Sequence, residues 1–300
     1  MQNRVVLGVH LASRLRRDER DTQGRGRSGA FYTRSVAEPV VAALEELWSA
    51  MRRLLTQVRP EEWTLPTPCS DWNLQQLTAH VAGGQSVFEG LPQPEPPPDW
   101  STEKQGTAAL TARGVAARDD WTAQQVVEEL IAGTDAQLAR FRALDDAGWA
   151  GPAEWPPGDP TVRGYARNRL LDAYVHLLDM RVALGRPLDL DAEPTVFDQC
   201  LQQAYDFSGW GAVKQAGIIH DCRIRLDLAG PGGVVADLVI ESRRGRLEPP
   251  TGEPTDRVTG TSAAFLFATV DRRAWWEQVG TLTVDGPAAN RLADGYVIWL

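Results

Sequence analysis

Asp172 and His176 stand four residues apart within the stretch 165–186, YARNRLLDAYVHLLDMRVALGR. On a helix, residues i and i+4 share a face with Cβ atoms roughly 6 Å apart, so this carboxylate and this imidazole can reach one metal ion. Oxygen and nitrogen donors are a set that Zn²⁺ accepts, and two ligands from one helix leave places for a third side chain and for water or substrate. The same spacing equally suits a surface Asp–His pair worth a few tenths of a kcal/mol. D-x-x-x-H arises easily by chance, so this helix alone leaves both readings open and the decision needs a partner elsewhere.

The candidate partner is His80. It sits in a predicted helix over 74–88 that buries Leu77, Val81, Gly84 and Phe88, and it falls about 60° from the centre of that apolar stripe. An inward histidine is either a metal ligand or a hydrogen-bonded core residue. Gly83 and Gly84 would let a neighbouring helix approach closely. On the 165–186 helix the polar stripe Asn168, Asp172, His176 and Asp179 runs between apolar flanks, with Arg167, Tyr174 and Arg181 as the expected water-facing edge.

The elements that must position these residues are helices. Apolar residues from Val40 to Val58 keep helical spacing behind Pro39, which suits a first turn. The link EEWTLPTPCSDW follows, its prolines forbidding helix and Trp63 and Trp72 able to cover a core edge. Asn73 with Gln76 resembles a capping box, as does Thr122 with Gln125 ahead of a helix burying Val126, Leu130, Leu138 and Phe141. Residues 91–100 form a proline-rich connector, and a second long loop spans 145–164. Four amphipathic helices with long connectors predict a four-helix bundle over 38–188, an architecture that seats metals between facing helices. From 189 to 300 a helix near 194–207, alternating runs at 224–228 and 234–242, short strands at 256–259 and 281–284, and helices at 262–270 and 287–297 predict a small α+β domain.

Composition limits the partners. The net charge is −9, yet residues 1–37 carry eight Arg against three acids, leaving an acidic body ill-suited to nucleic acid or an anionic membrane. That opening segment reads as a basic disordered tail. No apolar run reaches 18 residues, so no membrane span is expected. Three cysteines, Cys69, Cys200 and Cys222, without metal-type spacing favour free thiols in a reducing cytoplasm, and Cys69 reads as a small buried hydrophobe.

The stretch 63–83, WTLPTPCSDWNLQQLTAHVAG, resembles the W…PTPC…W…L…H signature of the mycothiol-dependent maleylpyruvate isomerase family, within the DinB-like bundles. LLDAYVHLLDMRVALG resembles that family's E-x-x-x-H-x-x-D-x-x-x-x-x-G helix, with Asp172 where the family has Glu. The likeness extends over about 40–300, since the α+β part is similar to the family's sterol-carrier-like C-terminal domain. It implies a divalent metal, typically zinc, on His80, Asp172 and His176, with Asp179 as a supporting partner of His176. It also implies mycothiol as thiol cosubstrate, and an arginine at the domain interface for a small anionic or electrophilic substrate; Arg272 or Arg273 is the nearest match by position. Isomerisation of maleylpyruvate and S-transfer both follow from such a site. Two other readings stay open: a non-enzymatic small-ligand-binding protein in which the shorter Asp172 marks a decayed metal site, and a metal-dependent hydrolase built on the same bundle. Monomer and homodimer are both compatible with the sequence.

Overall fold

The computed structural model of the chain describes residues 38–86, 104–153 and 161–298. The tail expected over 1–37, the proline-rich connector at 91–100, Phe88 and part of the 145–164 loop lie outside the described residues. The chain divides into two compact units that meet at Pro187 and Leu188.

The first unit is helical. Helix α1 (Pro39–Leu55) starts on its proline and buries Leu44, Leu47, Trp48, Met51 and Leu54, while Arg52 and Arg53 in its last turn complement the negative helix end. A 3₁₀ turn over Pro60–Thr64 follows, and Pro66 then bridges to Asn73. Helix α2 (Leu74–Ser86) opens on the expected capping box: Gln76 N donates to Asn73 Oδ1 at 2.9 Å and Asn73 N to Gln76 Oε1 at 3.1 Å. Helix α3 spans Lys104–Ala116, and helix α4 (Ala123–Arg142) begins on the Thr122/Gln125 box. A short helix α5 (Asp146–Ala150) brings Trp149 against Phe141, ring centres 5.3 Å apart. Helix α6 (Val162–Ala183) is capped by Thr161, whose Oγ1 accepts from Gly164 N at 3.1 Å.

Helix α6 packs on α1 and α2, and α2 packs on α3 and α4. The approach of α2 to α4 needs Gly133, because a Cβ there would lie 2.9 Å from the Gln85 backbone. The buried position of α6 corrects one expectation: Tyr174 is fully buried rather than water-facing, and only Arg167 and Arg181 of that edge keep partial exposure. Helices α3 and α5 are additions to the four predicted helices, α5 falling within the stretch 145–164 expected as a loop.

The second unit pairs helices with one sheet. Helix α7 (Pro194–Lys214) is followed by β1 (Cys222–Ala229), β2 (Val235–Glu241), β3 (Arg244–Glu248) and β4 (Asp256–Thr261). Helices α8 (Ser262–Thr269) and α9 (Trp276–Val279), strand β5 (Leu282–Asp285) and helix α10 (Pro287–Gly295) complete it. The sheet order is β3-β2-β1-β4-β5, with β1 and β4 parallel and the other pairs antiparallel. Register places Ile224 beside Leu238 and Leu226 beside Ala236 and Val258, giving one apolar face that α7, α8 and α10 cover. Helix α7 lies so close to β3 that a Cβ on Gly209 would come within 2.1 Å of Gly245 O. This explains a glycine in a helix interior, where alanine is ordinarily favoured by about 1 kcal/mol.

The opposite face of the sheet carries a buried carboxylate, Asp237. Arg223 Nη1 and Thr251 N each donate to its Oδ2 at 2.8 Å, and Arg225 Nε donates to Oδ1. Burial raises the Asp237 carboxyl, but Arg225, the Thr251 amide and Arg223 overcome this and hold it at about 2. A carboxyl depressed in the folded state adds stability above its unfolded pKa, and that contribution fades as pH falls through the folded value. Asp237→Asn is therefore expected to lower stability at neutral pH by about 2 kcal/mol. Urea unfolding should show the wild-type advantage shrinking between about pH 4 and pH 2.

Candidate metal centre

Two helices and one loop build the site. From α6, Asp172 and His176 face the same way one turn apart, with Asp179 a further turn on; α2 contributes His80, and the link before α2 contributes Cys69 and Trp72. His80 Nε2 lies 3.8 Å from Asp172 Oδ1, and His176 Nε2 lies 3.5 Å from the same oxygen. The two imidazole centres are 4.8 Å apart at 88°, and Trp72 stacks on the His80 ring at 5.0 Å. The separated sequence candidates thus meet in space.

The donor set fits a metal ion. Ligands about 2.0–2.2 Å from a tetrahedral centre stand roughly 3.3–3.6 Å from one another, close to the spacing seen here. His80 Nε2 is buried and makes no hydrogen bond, an orphaned polar atom that such an ion would satisfy. His80, Asp172 and His176 form one of two groups among the described residues with ligand atoms mutually within 4.8 Å.

The other group is Cys69, His176 and Asp179. Its geometry is that of an orienting network. Asp179 Oδ2 faces His176 Nδ1 at 3.1 Å and accepts from Cys69 Sγ at 3.4 Å, while Cys69 Sγ lies 3.8 Å from His176 Nδ1. Asp179 is fully buried, so its carboxylate fixes the His176 ring and leaves Nε2 turned toward Asp172. Cys69, half-buried, packs against this pair and is more than the small hydrophobe expected from sequence.

Charges within the cluster are strongly coupled. Burial opposes ionisation of Asp172, but Arg169 together with His176 and His80 holds its carboxyl well below the usual range. Burial also opposes the His176 imidazolium, yet the surrounding Asp172, Asp179 and Cys69 hold it well above the ordinary histidine value. Burial dominates at His80, which stays below that value despite Asp172 beside it.

Arg169 and Trp72 join the site beyond the residues that the sequence motifs single out. Arg169 precedes Asp172 by three residues, a spacing that puts it on the same face, and its Nη2 donates to Asp172 Oδ2. Arg272 lies in the second unit, where its Nη1 donates to Val270 O at 3.3 Å and its guanidinium sits 5.9 Å from the Trp275 ring centre. Arg273 Nη1 faces Asp294 Oδ1 at 3.3 Å in the same unit.

The family model described as mycothiol maleylpyruvate isomerase N-terminal domain matches residues 44–181. Over just under half of the chain, residues 44–181 are therefore similar to that N-terminal domain. His80, Asp172, His176 and Asp179 all lie within the matched residues. Two uncharacterized proteins from strains of Mycobacterium tuberculosis are 28% identical to the chain over 148 residues, covering 49% of it and 68% of each relative. Among solved structures, the crystal structure of the mycothiol-dependent maleylpyruvate isomerase superposes with a TM-score of 0.52 at 13% identity, over 87% of this chain and 99% of that one. A mutant of that enzyme gives the same score at 14% identity. At these identities the structural likeness carries the fold: a helical N-terminal region followed by a five-stranded sheet with its helices. No helix among the described residues is long and apolar enough to cross a membrane.

Proposed function

We propose that the chain is a metal-dependent enzyme that activates a low-molecular-weight thiol, mycothiol, for isomerisation of maleylpyruvate-like substrates or for S-transfer. The observation that supports it most is the meeting of His80, Asp172 and His176 around one small volume, with His80 Nε2 buried and making no hydrogen bond. These three residues would hold a divalent ion, and their nitrogen and oxygen donors suit zinc. Bound there, such an ion would supply Lewis acidity, favouring the thiolate form of a thiol near neutral pH.

The chain's own residues do the rest. Asp179, held by Cys69, orients the His176 ring through Nδ1. Trp72 covers one face of His80 and so restricts water on that side. In the isomerase version the thiol adds reversibly across the double bond of the substrate, rotation follows about what is then a single bond, and the thiol leaves. Arg272 is the cation proposed to meet a substrate carboxylate.

Turnover of maleylpyruvate by the full chain, with and without mycothiol, tests the reading. Fumarylpyruvate should form only when the thiol is present. Hydrolytic turnover of an ester or amide without thiol would contradict it and point to a hydrolase. One observation favours a second reading: Arg169 already neutralises Asp172, as a decayed metal site in a small-ligand-binding protein would require. In that case chelator treatment leaves the thermal midpoint unchanged.

A further inference from the structure

The two oxygens of Asp172 have different neighbours. Oδ1 faces both imidazoles, at 3.8 Å from His80 Nε2 and 3.5 Å from His176 Nε2. Oδ2 accepts from Arg169 Nη2. The guanidinium reaches this place past Gly84: a Cβ at that position would stand 2.9 Å from Arg169 Nη2. The glycine on α2 is therefore the room that lets an arginine of α6 lie on the carboxylate, and the Arg169 side chain is only 18% exposed there.

Resting on the metal-centre reading above, we propose that Arg169 is a positioning residue that makes Asp172 a one-oxygen ligand. A carboxylate is free to bind an ion through one oxygen or through both, and the second mode fills a coordination position. With Oδ2 engaged by a charge-assisted hydrogen bond, only Oδ1 is left on the side of the histidines. Three protein donors then leave a fourth tetrahedral position open, the condition for an external thiol to bind. Gly84 acts in the same device, because a side chain there pushes the guanidinium away from Oδ2.

Cobalt(II) loaded into the full chain reports this directly, since its visible absorption distinguishes four-coordinate from higher-coordinate geometry. The wild type should show intense bands of a four-coordinate ion. In Arg169→Gln those bands should weaken several-fold, as Asp172 turns both oxygens to the ion, and Gly84→Ala should move the spectrum in the same direction. Arg169→Lys, which keeps a cationic donor, should preserve the wild-type bands. Circular dichroism should show the same helix content in all four proteins. A wild-type spectrum retained in Arg169→Gln, or an Arg169→Gln protein that no longer takes up cobalt, overturns this proposal alone. A wild type that takes up no cobalt overturns the metal reading with it.

Discussion

His176→Ala is expected to abolish thiol-dependent turnover, by at least about a thousandfold, because loss of a bound Lewis acid removes several kcal/mol of charge stabilisation at once. His176 joins both networks of the site. Through Nε2 it faces Asp172 at 3.5 Å, and through Nδ1 it faces Asp179 at 3.1 Å. Its removal takes away one donor of the proposed metal-binding set and also leaves Asp179, fully buried, with only its remaining partners. His80→Ala tests the same centre with less collateral cost, since His80 Nε2 makes no hydrogen bond that the substitution would break. Both variants should show the effect in kcat/KM for the thiol-dependent reaction, measured in buffers scrubbed of metal and then resupplied. A variant that keeps wild-type turnover would remove His176 from the chemistry.

Arg118→Met should destabilise the first unit by about 3–5 kcal/mol, the range found when one partner of a buried ion pair is removed. Arg118 and Glu129 are each 7% exposed. The guanidinium donates from Nε and Nη2 to the two Glu129 oxygens at 2.5 Å, and from Nη1 to Gly114 O at 2.6 Å. Ser86 on α2 adds a further hydrogen bond to Glu129, so the pair ties α2, α4 and the end of α3 together. Losing the arginine strands a carboxylate among apolar helices. For a unit of this size the thermal midpoint should fall by about 10 °C. The double variant Arg118→Met, Glu129→Leu removes both charges and should recover most of that loss, because well-packed apolar groups replace buried ion pairs at little cost. A double variant no better than the single one would show that the pair acts through packing and not through charge.

The legible parts of the fold were those written in local chemistry. Asn73/Gln76 and Thr122/Gln125 marked helix starts because capping uses side chains three residues apart, and both boxes are present. The alternation at Ile224, Leu226 and Leu228 marked a half-buried strand for the same reason. Helix α3 escaped because its described part offers little pattern: Val115 is its buried apolar residue between 111 and 116. Strand β3, RGRLE, escaped because a polar edge strand lacks apolar alternation. Tyr174 was misplaced because α6 is packed on nearly every side, which a helical wheel cannot reveal.

The site divides along the same line. His80, Asp172 and His176 were readable as motif residues on two helices, and the i, i+4 geometry set the distance between two of them. The 3.8 Å approach of His80 to Asp172 depends on how α2 meets α6, which no local spacing encodes. The contact of Cys69 with Asp179 spans 110 residues of sequence and was invisible for that reason. Arg169 was within reach, being one helical turn from Asp172, but on sequence grounds an arginine beside an acid is an ordinary surface pair.

The claim on which the rest depends is that His80, Asp172 and His176 share one ion. Elemental analysis of the purified full chain, run beside His80→Ala and Asp172→Ala, tests it most directly. The account predicts about one divalent ion per wild-type chain and near-complete loss in both variants. A wild type without stoichiometric metal, or variants that retain it in full, would contradict the account.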